Sequence, residues 1–221
     1  MKFALSLYNL AQVYSIEKEN KRKKKPLTNY RSVVFNVSMS TREDIITAML
    51  DLGEEKGLAN VSLSDIALEV GIRKASIYSH FESQQAIIDA MLRYCHEELG
   101  KRSFLVDFKA KDARTMLVGL FDNIIKVFAE KPISSFFSIV QQQRMFDDSF
   151  AAEDRMISSM INARIRIALE FCIQRDWLDI KDTDYAADLM TAAVMRKICD
   201  VLSDSADWET DRLADGLIEL F

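Results

Sequence analysis

Lys74-Ala75-Ser76-Ile77-Tyr78-Ser79-His80-Phe81 is the stretch of this 221-residue chain whose side chains could do chemistry at close range. At helical spacing Ile77 and Phe81 fall one turn apart on one side, while Ala75, Ser76 and Ser79 look away from them. A face of Ser and Ala lets a helix backbone come close to a polar surface, and its hydroxyls can exchange hydrogen bonds there. Lys74, Tyr78 and His80 flank that face with groups that can donate to phosphate oxygens. Small residues at base edges with longer donors beside them suit the groove of a nucleic-acid duplex. A helical hairpin buried in an ordinary α-helical core is the competing reading.

The elements that would position this stretch are legible just before it. Ser62, with Asp65 three residues on, forms a capping-box-like start for a helix at about Leu63. Leu63, Ile66, Ala67 and Val70 give that helix one apolar stripe, and Gly71 stands where a left-handed residue stops it. The second helix of the pair is expected over about Lys74 to Phe81. Ahead of both, Ser40 or Thr41 can cap a first helix with Glu43 and Asp44 in its first turn and an inner face of Ile45, Met49 and Leu52, widened by Ile46 and Leu50. After them, Ser83 can cap a fourth helix through Ile87, Ile88, Met91, Leu92, Cys95 and Leu99, ending at Gly100.

With these residues in place, Thr41 to about Leu99 resembles the DNA-binding domain of the TetR (tetracycline-repressor-like) family of transcriptional regulators. The resemblance lies in a first helix ending near Gly57, then Val61-Ser62-Leu63-Ser64-Asp65-Ile66-Ala67, Gly71-Ile72 and Ile77-Tyr78-Ser79-His80-Phe81. It implies that Ser64 and Lys74 to Ser76 lie at the groove and that Tyr78 and His80 meet the DNA backbone; Arg42, at the start of the first helix, could touch a phosphate or stand in solvent. Two positions depart from the family pattern. Arg73 stands where Ser or Thr is usual, which removes the expected cap, and Gln84 stands where a phosphate-contacting Lys is usual, which implies a shallower salt dependence.

Composition bounds the rest. Hydrophobic residues make up 49% of the chain, with only six Gly and two Pro, and apolar positions recur at three and four rather than two. An all-α fold follows, large enough for a sizeable core. The net charge of −5 is unevenly spread: eight Lys and Arg against two Asp and Glu in residues 1–38, seven against eleven in 39–102, and fourteen against twenty-one in 103–221. The motif, not the charge, therefore carries the nucleic-acid reading. Three widely spaced cysteines, Cys95, Cys172 and Cys199, form no disulfide framework and suit a reducing cytoplasm. Residues 1–38 have the wrong order for a signal peptide and too short an apolar run for a membrane span. They read as a basic arm on DNA, as a leader that is not made, with Met39 as the start, or as a solvated tail.

The domain expectation is thus 1–38 as an extension, 39–102 as a three-helix helix-turn-helix domain with its connecting helix, and 103–221 as a helical effector-binding and dimerisation domain. That last assignment comes from the resemblance. Helices are expected through Met116–Phe128, Ile133–Phe146, about Ala151–Arg175, from Asp182 or Thr183 through Leu202, and from about Glu209. Phe121, Ile125, Phe136, Phe137, Val140, Gln143, Met156 and Met160 could line an apolar site, since Met and Phe adapt to varied ligands, or could simply fill the core. Arg164 and Arg166 could meet an acidic ligand or stand in solvent. In the last two helices Ala186, Ala187, Met190, Ala193 and Val194 occupy more than one face, which suggests packing against a second copy.

Enzymatic chemistry finds no support in the sequence. His80 and His96 are the only histidines, and neither a His-Glu-x-x-His, a Cys-x-x-Cys nor a glycine-rich phosphate loop occurs. No metal and no cofactor is implied. The expected function is a cytoplasmic, ligand-responsive regulator, most often a repressor, binding a palindromic double-stranded DNA operator as a homodimer, with a small-molecule effector and no membrane partner. An interaction protein of the same fold without operator binding is the alternative.

Overall fold

Apolar stripes at helical spacing can be buried only against one another, and the computed structural model, which describes residues 41–203 and 209–220, is a stack of such helices. The readings of residues 1–38 and of a cap at Ser40 lie outside the described residues. Among the described residues every regular element is helical: α1 (Thr41–Lys56), a 3₁₀ turn (Leu58–Asn60), α2 (Leu63–Val70), α3 (Lys74–Ile77), α4 (Gln84–Gly100), α5 (Ala113–Ala129), α6 (Ile133–Gln143), α7 (Asp148–Gln174), α8 (Thr183–Leu202) and α9 (Thr210–Ile218). No helix among them is long and apolar enough to cross a membrane.

The starts obey local chemistry. Ser62 caps α2 by accepting from the Asp65 amide (3.2 Å), while the Ser62 amide donates back to the Asp65 carboxylate (2.8 Å). Lys56 at the end of α1 adds an ion pair to that carboxylate at 2.8 Å. Ser83 accepts from Ala86, Asp112 from Thr115 and Asp182 from Tyr185, so α4, α5 and α8 begin on side-chain caps. Gly71 ends α2 with φ 74°, a left-handed conformation that a residue with a Cβ adopts only under strain.

Two elements are shorter than their patterns suggest. The α-helical part of α3 covers only Lys74–Ile77, and the chain continues to Phe81 through turns closed by His80 and Phe81 amides donating to the Ile77 carbonyl, both at 2.9 Å. Helix α6 stops at Gln143, leaving Met145 and Phe146 in an exposed turn. Beyond α6 the apolar side chains stand in solvent and no burial extends the helix, whereas beyond α3 Phe81 reaches the core from a turn rather than from a further helical turn.

Helix α1 is the shared wall. It packs on α2 and α4 on one side and on α6 on another. Gly53 makes the second contact possible: a Cβ there would lie 2.7 Å from Leu58 Cδ2 and 3.1 Å from Ile139 Cδ1. Polar contacts seal the rim, with Ser135 donating to Glu54 (2.7 Å) and Lys131 paired with Asp51 (2.6 Å) and Glu54 (3.5 Å). Helices α7 and α8 run together, tied by Asn162 to Asp188 (2.9 Å) and Arg166 to Asp184 (2.5 Å), and α9 lies on α5 through Arg114 with Asp211 and Asp215.

Two outcomes are expected. Gly53→Val forces a branched side chain into the α1–α6 contact and lowers unfolding stability by about 1–3 kcal/mol in urea titrations. Asp65 is held well below its ordinary 3.8, first by the hydrogen bond from Lys56 and then by those from Ser62. A depressed carboxylate contributes stability above its unfolded pKa and loses it as pH falls. Asp65→Asn should therefore melt below wild type at pH 7, with the gap closing as pH drops below about 4.

Candidate nucleic-acid interface

The site rests on a division within one short segment. Ile77 is 1% exposed and Phe81 4%, both joined to the core, whereas Lys74, Ala75, Ser76, Tyr78, Ser79 and His80 are all exposed. The small-residue face is therefore open to an incoming surface. Tyr78, at 56% exposure, stands out from it with its ring uncommitted to the core. Lys74 and Arg73 have no ion-pair partner among the described residues, which leaves two cations at the start of α3 available to phosphates. Ser64 is exposed on α2, on the element packed against α3.

Two groups are already engaged. Ser79 Oγ donates to the Ser76 carbonyl at 2.6 Å, so its hydroxyl is left to accept rather than to donate outward. The Arg42 guanidinium lies 4.2 Å from the centre of the Phe81 ring. This cation–π contact ties the start of α1 to the anchor of the recognition segment, and Arg42 itself remains exposed.

The departures noted in the sequence have structural consequences. Arg73 precedes α3 with extended backbone and makes no side-chain cap, so α3 starts on its tertiary contacts alone. Gln84 is not pointing at solvent: its Nε2 donates to the Val61 carbonyl at 2.8 Å, pinning the start of α4 to the turn before α2. Nothing in the sequence signalled that strut, because the partner is a backbone atom 23 residues away.

The eight residues considered for a ligand site do not form one wall. Phe121, Ile125, Phe136, Phe137 and Val140 are at most 1% exposed and belong to the core. Gln143 is half-buried at the end of α6. Met156 and Met160 instead border a cavity of about 490 Å³ between α4 and α7, together with His96, Leu99, Gly100, Ala152 and Glu153. His96 Nε2 lies 2.6 Å from Glu153 Oε2. Since a carboxylate can only accept, the imidazole N–H donates. Behind His96, burial above all, aided by the Glu153 and Glu98 charges, pushes the Cys95 thiol up to about 12, so Cys95 is an inert core residue. Arg164 is exposed and Arg166 is spent on Asp184.

In α8 the structure corrects the premise of the packing argument. Ala186, Ala187, Met190 and Val194 are fully buried within one chain, against α5 and α7, so they are not an unused apolar surplus. The outward face of α8 carries Tyr185, 62% exposed, with Ala192 and the half-buried Leu189 and Ala193.

Comparison with known proteins bears on this geometry. Residues 45–91 match the family model of bacterial regulatory proteins, tetR family. The chain is 28% identical over 96 residues to the nucleoid occlusion factor SlmA of Marinobacter nauticus, covering 43% of this chain and 49% of that protein. It is 38% identical over 58 residues to the biofilm operon icaADBC HTH-type negative transcriptional regulator IcaR of Staphylococcus aureus, covering 26% of this chain and 31% of that one. The chain thus spans half or less of the curated relatives it matches. In fold the likeness extends further: a crystal structure of a TetR transcription regulator from Haloarcula marismortui superposes with a TM-score of 0.62 at 15% identity, over 82% of this chain and 97% of that one. Residues 45–91 thus carry the helix-turn-helix of the tetR family, and the described helices share the fold of that solved regulator.

Proposed function

We propose that the protein is a ligand-responsive transcriptional regulator, in most settings a repressor, that binds a palindromic DNA operator as a homodimer. The observation that carries the reading is the exposed Ala75, Ser76 and Ser79 face, flanked by Lys74, Tyr78 and His80 and anchored beneath by Ile77 and Phe81. Residues 39–102 act as the DNA-reading part and 103–221 as the effector and dimerisation part. The two half-sites should then be spaced by about one helical turn, 34–36 Å, or a multiple of it.

Two routes support communication between the parts. Helix α4 begins beside the recognition segment and ends at the His96, Leu99 and Gly100 wall of the cavity. Helix α1, which carries Arg42 over Phe81, is bolted to α6 through Gly53, Glu54 and Asp51. A ligand that binds one arrangement of α4 and α7 better than another would shift the reader by that difference in affinity. The dimer reading draws on the outward face of α8, where Tyr185 and Ala192 are exposed and Leu189 is half-buried, and on Ile167 of α7, 37% exposed.

A second reading is favoured by one feature. Gln84 is turned inward and residues 39–102 are acidic, which suits an interaction protein of the same fold that has lost operator binding. Gel shifts with the DNA upstream of the protein's own gene, run across a salt series, separate the two. Specific, salt-sensitive retardation is expected, and its absence at low salt favours the interaction protein.

Tyr78→Ala should weaken operator binding about tenfold by removing a hydrogen bond to a charged phosphate, while the melting temperature stays within a degree or so of wild type, since the ring is exposed. Gln84→Lys should lower the melting temperature, through loss of the Val61 strut, yet steepen the slope of log affinity against log salt by about 0.9 per subunit. Sedimentation should show a dimer at micromolar concentration, shifted toward monomer by Tyr185→Glu.

A further inference from the structure

The cavity between α4 and α7 has a composition that selects among ligands. Its walls are apolar where Leu99, Ala152, Met156 and Met160 contribute, and its polar atoms come from His96 and Glu153. No Lys or Arg is among the described residues that line it. Glu153 is largely withdrawn from solvent, with a side chain 15% exposed, and its recorded partner is the single N–H of His96 on Oε2. A carboxylate offers about four acceptor positions over two oxygens, so one donor leaves most of its capacity unused. Taking a carboxylate out of water is costly unless a cation or several donors answer it.

Three cations on the adjoining segments carry ion pairs of their own. Arg144 is paired with Asp154 at 2.8 Å, Lys101 with Glu98 at 2.5 Å and Arg102 with Glu130 at 3.0 Å. The cavity thus sets the Glu153 carboxyl group and the His96 ring at its polar side against an apolar lining, with room for a small organic molecule. An anionic ligand would meet Glu153 with no compensating cation, whereas a positively charged head would meet it with opposite charge and displace little. Two methionines adapt to an aliphatic tail of variable length.

We infer that the α4–α7 cavity takes an amphipathic organic cation, its ammonium head against Glu153 beside His96 and its aliphatic tail among Leu99, Met156 and Met160. This deepens the effector part of the proposed function and rests on it for any regulatory meaning, but the binding site stands on its own geometry. His96 acts as a positioning residue, holding the carboxylate toward the cavity through the 2.6 Å bond.

The test is calorimetric titration of the full-length protein at pH 7.5 with three probes of equal tail length, octyltrimethylammonium, octanoate and octanol, below their aggregation concentrations. The cation should bind about tenfold or more tighter than octanoate. Glu153→Gln, which keeps the shape, should cost the cation about tenfold while changing octanol by less than about threefold. Met156→Trp, at a position 37% exposed and so tolerant of bulk, should abolish binding of all three. Octanoate binding as tightly as the cation, an unaltered cation affinity in Glu153→Gln, or no binding by any probe would overturn the assignment. A gel shift with the same cation keeps the two readings apart: binding without any change in DNA retardation upholds the site and overturns its effector role.

Discussion

Burial of Ile77 and Phe81 is the contact on which the rest of the interface depends. A four-residue α-helix closes too few hydrogen bonds to offset the cost of ordering its backbone, and α3 lacks a side-chain cap at Arg73. Its conformation is therefore set by two side chains driven into the core and by the guanidinium of Arg42 resting on the Phe81 ring. Each fully buried apolar side chain of this size contributes about 1.5–3 kcal/mol. That is enough to hold a segment whose outward residues are exposed and contribute little to its own stability.

The same economy explains why α1 has two polished sides. Ile45, Met49 and Leu50 meet the helix-turn-helix, while Gly53 brings the backbone close to Leu58 and Ile139 of the following turn and of α6. A packed contact of this kind does not deform gradually, because interiors at close-packed density move as units or not at all. The ion pairs around it, from Lys131 to Asp51 and Glu54, lie at the surface and individually are worth little. They set register more than stability. Through Gly53 and Arg42, α1 therefore touches both α6 and the Phe81 ring.

Net charge misleads in this protein, because binding depends on where charges sit. A chain of net charge −5 presents, among the described residues, two cations without an ion-pair partner at the start of α3. The cavity between α4 and α7 shows the converse. There Glu153, with a side chain 15% exposed, shares a lining with Leu99, Met156 and Met160.

What the sequence determined by itself is local. The Ser62–Asp65 reciprocal cap, the caps at Ser83 and Asp182, the left-handed Gly71 and the apolar stripes all act within four residues of chain, so their chemistry is complete in the letters. The exposure of Ala75, Ser76 and Ser79 was legible for the same reason, since the opposite face already held the anchors. Tertiary structure decided what depends on a partner far along the chain: Gln84 on the Val61 carbonyl, His96 on Glu153 across 57 residues, Lys131 on Asp51 across 80. It also decided that Phe121, Phe136 and Phe137 fill the core while Met156 borders a cavity. A helical stripe states that a face is apolar but not which neighbour covers it, and only the packing of distant helices distinguishes a wall from a filling.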